Sequence, residues 1–139
     1  MAHEKFNVEV LTPEGQVFAD EVEMVSTRTD VGSIGILAKH QPLLGILDPA
    51  ELRLYKTESD VVRFAQAEGY VQVSKEGVLI LVEEAIPPED LNASELQERI
   101  KRAEDELSSA DEGSEQARVA ARDKARAEAF LAMTQGSGQ

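Results

Sequence analysis

The sequence predicts an α+β protein, with an antiparallel β-sandwich at its N-terminus and an antiparallel two-helix hairpin at its C-terminus. Short runs of alternating apolar and polar residues fill the first part, whereas apolar residues recur at helical spacing after residue 92. Pro87-Pro88 separates the two patterns, because prolines donate no ladder hydrogen bond and restrict the preceding residue. We therefore predict a sandwich over 1–87, a hairpin over 88–134 and a flexible tail over 135–139.

The first part contains short predicted strands that are separated by turn-forming residues. Alternation with polar residues marks the half-buried strands, whose apolar members are Phe6, Val8 and Val10; Val22 and Met24; Leu52 and Leu54; Val62 and Phe64; and Val71 and Val73. The continuous apolar run 78–82 predicts a strand that is covered on both faces. Turn signals lie at 13–15, 58–60 and 75–77. Strands this short favour an antiparallel sandwich or barrel.

The second part shows the signals of two helices. Asn92, followed by Glu95, has the form of an N-cap with a capping-box partner. The first helix has one apolar stripe, formed by Leu96, Ile100, Ala103 and Leu107. A turn over 108–114 leads into an alanine-rich helix over about 115–133. Because alanines bury little area, we expect the hairpin to be held weakly.

Composition excludes several classes of function. None of the 139 residues is cysteine, which removes disulfides, thiolate metal sites and cysteine nucleophiles. The net charge of −13 opposes binding to nucleic acid or to anionic lipid. No apolar run approaches the roughly 18 residues of a membrane span or resembles a signal peptide. We expect membrane contact only through other proteins.

Catalytic motifs are missing from the sequence. It has no Walker loop, nucleophile elbow, HExxH motif or EF-hand loop. His3 and His40 are the only histidines, so we expect no histidine-based metal site or triad, and no cofactor. Acidic pairs such as Glu83-Glu84 are interpreted as solvated surface, because the chain carries 27 acids.

The most specific segment is residues 32–44, GSIGILAKHQPLL. It resembles the glycine, isoleucine-leucine, histidine-x-proline-leucine-leucine signature of the epsilon subunits of F-type ATP synthases. Residues 68–73, EGYVQV, are similar to that family's glycine-aromatic-x-x-valine strand. The opening hairpin over 6–18 and the segment 85–91 also fit the family, so the resemblance covers the whole β part in order.

The resemblance implies a non-catalytic rotor subunit that couples proton-driven rotation of the c-subunit ring to ATP synthesis. Its implied partners are the gamma subunit, the c ring and the alpha and beta subunits. It implies a peripheral location on the cytoplasmic side of the cell inner membrane, with a thylakoid left open. The implied gamma interface consists of His40, Pro42 and Leu43, and the implied c-ring contact of Asp30, Val31, Gly32 and Ser33.

The loop before His40 departs from the family pattern. Proline-glycine usually precedes the histidine in the family, whereas this chain has Ala38-Lys39. We expect Gly32 and Gly35 to permit positive φ or close backbone approach, and Pro42 to stiffen the end of the loop. Taken without the resemblance, His40 is better interpreted as a hydrogen-bonded residue that fixes the loop.

A row of arginines marks the second helix. Arg118, Arg122 and Arg126 recur every four residues and form a basic stripe on an acidic chain. One interpretation is a solvated face with intrahelical ion pairs. The resemblance implies the other, in which the helices extend and the stripe meets an acidic segment of the catalytic subunit, opposing ATP hydrolysis.

Some bacterial members of the family bind ATP through a motif at the start of the first helix. The matching positions here are Leu91, Asn92, Glu95 and Leu96. Glu95 replaces the arginine that would meet phosphate, which reverses the sign of that interaction. We therefore predict that ATP binding is weak or absent.

One alternative function stays open at this point. The chain would then be a free-standing ligand-binding β-sandwich with the helices as a dimerisation arm. That alternative predicts a small-molecule pocket and a stable solitary protein, whereas the rotor interpretation requires a gamma subunit as partner.

Overall fold

The computed structural model describes residues 3–135, and the chain divides into two compact units at residues 1–87 and 88–139. The first unit contains ten strands within the described residues: β1 (Phe6–Thr12), β2 (Gly15–Val22), β3 (Met24–Thr29), β4 (Gly32–Leu37), β5 (Leu43–Leu47), β6 (Ala50–Tyr55), β7 (Val61–Gln66), β8 (Gly69–Ser74), β9 (Gly77–Val82) and β10 (Ala85–Ile86). The predicted α+β class and N-terminal sandwich are confirmed.

The strands form two layers that share one core. The first layer has the order β10-β7-β6-β3, with β4 paired to the other side of β3, and the second has the order β5-β8-β9-β1-β2. Only the pair Thr29–Leu47 joins β3 to β5, so the sheet folds between them. A single cluster of buried side chains draws on both layers: Val8, Val10, Val22, Val25, Ile36, Leu47, Leu52, Leu54, Phe64, Val71, Val73, Val78, Ile80 and Val82. Each stabilises the fold by about 1.5–3 kcal/mol.

Two strand predictions were wrong in detail. The alternation at Val22 and Met24 belongs to two strands, because β2 ends at Val22 and β3 begins at Met24. Val25 is the buried apolar residue of β3, while Met24 is only half-buried. The run 78–82 is covered on one face rather than two, since Leu81 remains 42% exposed. Its second apolar face is available for another contact.

Two residues near the ends of β4, Gly32 and Lys39, have positive φ angles. Gly32 turns the chain between β3 and β4 with φ +132°, as predicted, but Gly35 has neither positive φ nor a close neighbour. Lys39 takes the left-handed conformation instead, with φ 63°. That conformation costs a residue with a side chain about 1 kcal/mol. The loop therefore keeps a shape that glycine suits better, although lysine occupies the position.

The second unit is a helical hairpin with capped helices. A 3₁₀ turn at Pro88–Asp90 precedes α1 (Ala93–Ser109), and α2 (Glu115–Thr134) follows a short turn. Asn92 Oδ1 accepts a hydrogen bond from the Glu95 amide at 3.1 Å, as predicted for the N-cap, and Gly113 turns the chain with φ 78°.

The two helices of the hairpin bury few residues. The first helix has the predicted stripe, with Leu96 and Ala103 buried and Ile100 and Leu107 half-buried. Buried residues on α2 are Ala120, Ala127 and Phe130. Lys124 Nζ lies 3.3 Å from Glu104 Oε2 and links the helices on their solvent side. Apart from Gln135, the predicted tail lies outside the described residues.

Across residues 3–135, neither helix is long and apolar enough to cross a membrane.

Candidate functional site

The second layer of the sandwich presents an apolar face to solvent. Ile46 on β5 pairs with Tyr70 on β8, and Tyr70 pairs with Leu81 on β9. All three side chains are exposed, and Leu44, two residues before Ile46, is 75% exposed. Because residues of one strand alternate between faces, these four lie on the face opposite the core. We call Leu44, Ile46, Tyr70 and Leu81 the outer apolar patch.

Such a patch indicates a binding surface. Scattered apolar residues are normal on a protein surface, but contiguous ones on paired strands are typical of a protein-protein contact. Tyrosine, here Tyr70, is also one of the residue types that supply much of the energy at the centres of interfaces. The outer apolar patch can therefore bind a partner by excluding water, without moving the core.

The sequence contains a signal for this patch that the predictions misinterpreted. In the runs 43–47 and 78–82, apolar residues occupy both faces of a strand. The continuous run 78–82 predicts a strand that is covered on both faces, and the sequence pattern does not mark Leu44, Ile46 or Tyr70 as exposed. The structure shows one face buried and the other exposed.

The predicted gamma-contact residues lie at the entrance to β5 and differ in orientation. Leu43 packs against the core and pairs with Val73, so its side chain faces inward. Pro42 is exposed. His40 is half-buried; its amide donates to Leu37 O at 3.2 Å and its Nδ1 lies 2.8 Å from Gln41 O. These bonds match the loop-fixing role considered for His40.

The predicted c-ring residues form the tip of the β3–β4 hairpin. Thr29 Oγ1 donates to Gly32 O at 3.0 Å and accepts from the Val31 amide at 3.2 Å, which fixes the turn. The Asp30 amide donates to Ile46 O at 3.0 Å, so the turn is tied to β5. Val31 is 92% exposed. The structure therefore presents an apolar side chain at a braced tip beside the outer apolar patch.

The arginines of α2 do not share one environment. Arg118 hydrogen-bonds the Glu115 carboxylate, an i,i+3 pair on the exposed surface. The bond to Arg118 lowers the pKa of Glu115, and the bond to Glu115 raises the pKa of Arg118. Arg122 is exposed, whereas Arg126 is half-buried. The first interpretation, with intrahelical pairs, therefore describes Arg118.

Arg126 lines a cleft of about 350 Å³ within the hairpin. The other residues of this cleft are Arg99, Arg102, Ala103, Glu106, Ala120 and Asp123. Two acids accompany the three arginines there, so much of the basic charge is balanced locally. The basic stripe that the sequence predicts is thus divided between solvent and this cleft.

The positions of the family's ATP motif serve as a helix start in this structure. Asn92 caps α1, Leu96 is buried, and Leu91 is half-buried with its amide donating to Pro88 O at 3.2 Å. Glu95 is exposed in the first turn. A carboxylate at the N-terminus of a helix is stabilised by the helix dipole and repels phosphate. Within residues 3–135, no group of three acidic or histidine side chains could hold a metal ion.

The β unit as a whole matches a known protein family. Residues 5–88 match the family model described as "ATP synthase, Delta/Epsilon chain, beta-sandwich domain", which is more than half of the chain. The chain belongs to this ATP synthase family. Family membership favours the epsilon-subunit interpretation over the free-standing ligand-binding sandwich.

Curated relatives carry the epsilon name. The ATP synthase epsilon chain of Priestia megaterium is 39% identical over 103 residues, which are 74% of this chain and 76% of the relative. The one from Sulfurihydrogenibium is 29% identical over 126 residues, 91% of this chain and 94% of the relative. The second alignment therefore includes the helical hairpin as well as the β unit.

Solved structures share the fold at low identity. One chain comes from a Euglena gracilis mitochondrial ATP synthase with OSCP, F1 and c-ring; its TM-score is 0.74 at 20% identity, covering 98% of this chain and 83% of that one. Another comes from the central stalk and c-ring of the Tetrahymena thermophila mitochondrial enzyme, with TM-score 0.59 and 16% identity, covering 96% and 99%. These likenesses show that the fold is shared over nearly the whole chain.

Proposed function

We propose that this chain is a non-catalytic subunit of the central stalk of ATP synthase, and that it docks on the gamma subunit through the outer apolar patch. The observation that carries the proposal is the register of Ile46, Tyr70 and Leu81, which places three exposed apolar side chains side by side. Burying them on a partner recovers free energy that the solitary chain leaves unused. His40 and Pro42 lie at the edge of the same contact.

The β3–β4 tip is proposed as the contact with the c ring. Val31 is the most exposed of the large apolar residues that the structure describes, and Thr29 holds its turn from both sides. The bond from the Asp30 amide to Ile46 O joins the tip to the strand that carries the patch. A braced tip of this kind transmits torque from the ring to the stalk with little deformation. Gly32 and Ser33 complete the contact.

The helical hairpin is proposed to restrain ATP hydrolysis. In this proposal the hairpin is an element with two states, docked or extended, and its Arg118, Arg122 and Arg126 meet acidic residues of the catalytic alpha and beta subunits. Sparse burial along α1 and α2 supports a small free-energy difference between the states. The assembly would place the chain on the cytoplasmic side of a bacterial plasma membrane.

Truncation after Pro88 tests the regulatory part. We expect ATP hydrolysis by the assembled synthase to rise about fivefold or more, since a coupling free energy of about 1–3 kcal/mol is removed. The full-length R118Q/R122Q/R126Q variant should reproduce much of this rise, while the matched K101Q variant on α1 should not. Unchanged hydrolysis in the truncated complex would show that the helices do not restrain it.

Calorimetric titration with MgATP tests the degenerate nucleotide motif. We expect no micromolar binding to the isolated chain, because Glu95 presents a negative charge at the first turn of α1 and Asn92 is used as the cap. The E95R variant should bind MgATP more tightly than the wild type, with E98R as the control one turn along. Micromolar affinity in the wild type would overturn this prediction.

A further inference from the structure

The outer face of the second layer changes from apolar to acidic along its strands. Its first cross-strand row is Ile46, Tyr70, Leu81 and Leu11, and its second is Leu44, Gln72, Leu79, Glu9 and Ala19. A third row contains Ser74 paired with Gly77, and Asn7 paired with Glu21. The apolar patch and the acids therefore belong to one continuous surface rather than to separate sites.

The acidic end of this surface is a cleft of about 570 Å³. Glu9, Asp20, Glu21 and Glu76 line it, and no lysine or arginine of the described part of the chain does. A neighbouring cleft shares Glu21 and Glu76 with it and is lined by Lys5, Lys39 and Lys75 as well. Glu9 and Asp20 line only the first cleft. We call this first cleft, which the four carboxylates line, the acidic cleft.

Internal partners occupy part of the acidic cleft only. Two partners lower the pKa of Asp20. The larger effect comes from the Glu21 amide, which donates a hydrogen bond to Asp20 Oδ1 at 2.8 Å, and the smaller from Lys56, whose Nζ lies 3.2 Å from Asp20 Oδ2. Glu9 accepts a hydrogen bond from the neutral amide of Gln16 at 2.7 Å, and Glu76 accepts one from the Ser74 hydroxyl at 3.2 Å. Neither of these neutral donors offsets the negative charge.

We infer that the gamma surface docked on this layer carries an apolar strip bordered on one side by lysine or arginine residues. The inference rests on the proposed docking to gamma and adds the charge of the partner. Apolar side chains would cover the outer apolar patch, and the basic ones would reach Glu9 and Glu21. Along the strands, Glu9 lies two residues and Glu21 four residues from the row of Tyr70, which correspond to about 7 Å and about 13 Å.

Charge complementarity of this kind sets the encounter rate and the register of docking. An apolar patch alone allows the partner to slide or rotate, whereas acids at one end favour a single orientation. Their attraction also extends to about 10 Å at ordinary ionic strength, so it acts before contact is made. The inferred basic border therefore fixes the direction in which gamma lies across the strands.

Binding of the full-length chain to an F1 complex of alpha, beta and gamma subunits tests the inference. The E9Q/E21Q variant removes two charges from the acidic surface, and E14Q/E58Q removes two from turns outside it. We expect E9Q/E21Q to associate about five- to tenfold more slowly at low ionic strength, with a flatter salt dependence, and E14Q/E58Q to behave like the wild type.

Each outcome bears on one claim or the other. If E9Q/E21Q and the wild type associate at equal rates at both low and high ionic strength, the basic border is contradicted while docking stands. Equal slowing in both variants would mean that net charge alone acts, which also overturns the inference. Failure of the wild type to bind the complex would overturn the proposed docking itself, and the inference with it.

Discussion

Replacing Ile46 or Tyr70 by aspartate is expected to weaken binding of this chain to the gamma-containing F1 complex by about 100-fold or more. Hot-spot residues at the centre of an interface contribute about 2 kcal/mol or more, and a carboxylate there must also be desolvated without a partner. Both side chains are exposed in the free chain. The loss should therefore come from the contact rather than from the fold, and titration of labelled chain against the complex measures it.

Leu37→Asp is the matched control for this prediction. Leu37 is 41% exposed, against 52% for Ile46 and 56% for Tyr70, but it lies on β4 in the other layer of the sandwich. Aspartate there carries the same charge and the same penalty for a polar residue in a strand. We expect its affinity to stay within about threefold of the wild type. If both layers were equally sensitive, the outer apolar patch would not be the docking surface.

Gly69→Ala is expected to destabilise the β unit by about 1–3 kcal/mol or more, or to prevent its folding. A Cβ atom at Gly69 would lie 2.0 Å from Leu81 O and 2.8 Å from Val82 Cα, both backbone atoms of the paired strand β9. Main-chain atoms in a ladder cannot move aside as a flexible side chain can, so β8 and β9 must separate. Chemical denaturation of the variant gives the change in the free energy of unfolding.

Gly35→Ala provides the comparison within the same unit. Nothing lies within 4 Å of a Cβ at Gly35, and its φ lies outside the left-handed region. Alanine there should change the free energy of unfolding by less than about 1 kcal/mol, and the reduced entropy of the unfolded chain favours stabilisation. Comparable destabilisation at both positions would contradict the steric explanation for Gly69.

The sequence was most informative where local rules decide the structure. Asn92 marked the start of α1 because capping needs only a short polar side chain and the following amides. The boundary between units lies after Pro87, where the proline pair interrupts the strand pattern. Gly113 lies in the turn between the two helices, where its positive φ is a local property that glycine permits.

Features that depend on long-range pairing were harder to predict. The exposure of Leu81 follows from β9 lying in the second layer, and a continuous apolar run does not distinguish one covered face from two. The inward orientation of Leu43 depends on its register with Val73, which is distant in the sequence. Nor did the arginine spacing predict that Arg126 would line the interhelical cleft while Arg122 is exposed.

Lys39 shows how a loop can keep its shape with an unfavourable residue. Its side chain is exposed and its ammonium lies 3.4 Å from Glu4, a pair too exposed to stabilise the loop much. The left-handed φ of 63° is therefore imposed by the surrounding strands β4 and β5 rather than by lysine. Lys39 is therefore a position of local backbone strain.

Site-specific photo-crosslinking from position 70 tests the central claim most directly. A photoreactive phenylalanine analogue would replace Tyr70 in one full-length variant and Arg63, exposed on β7 of the other layer, in a second. After assembly into the synthase and illumination, we predict that the variant with the probe at position 70 forms an adduct with gamma and the other does not. An adduct with gamma from position 63 alone, or none from position 70 in an assembled complex, would contradict docking through the outer apolar patch.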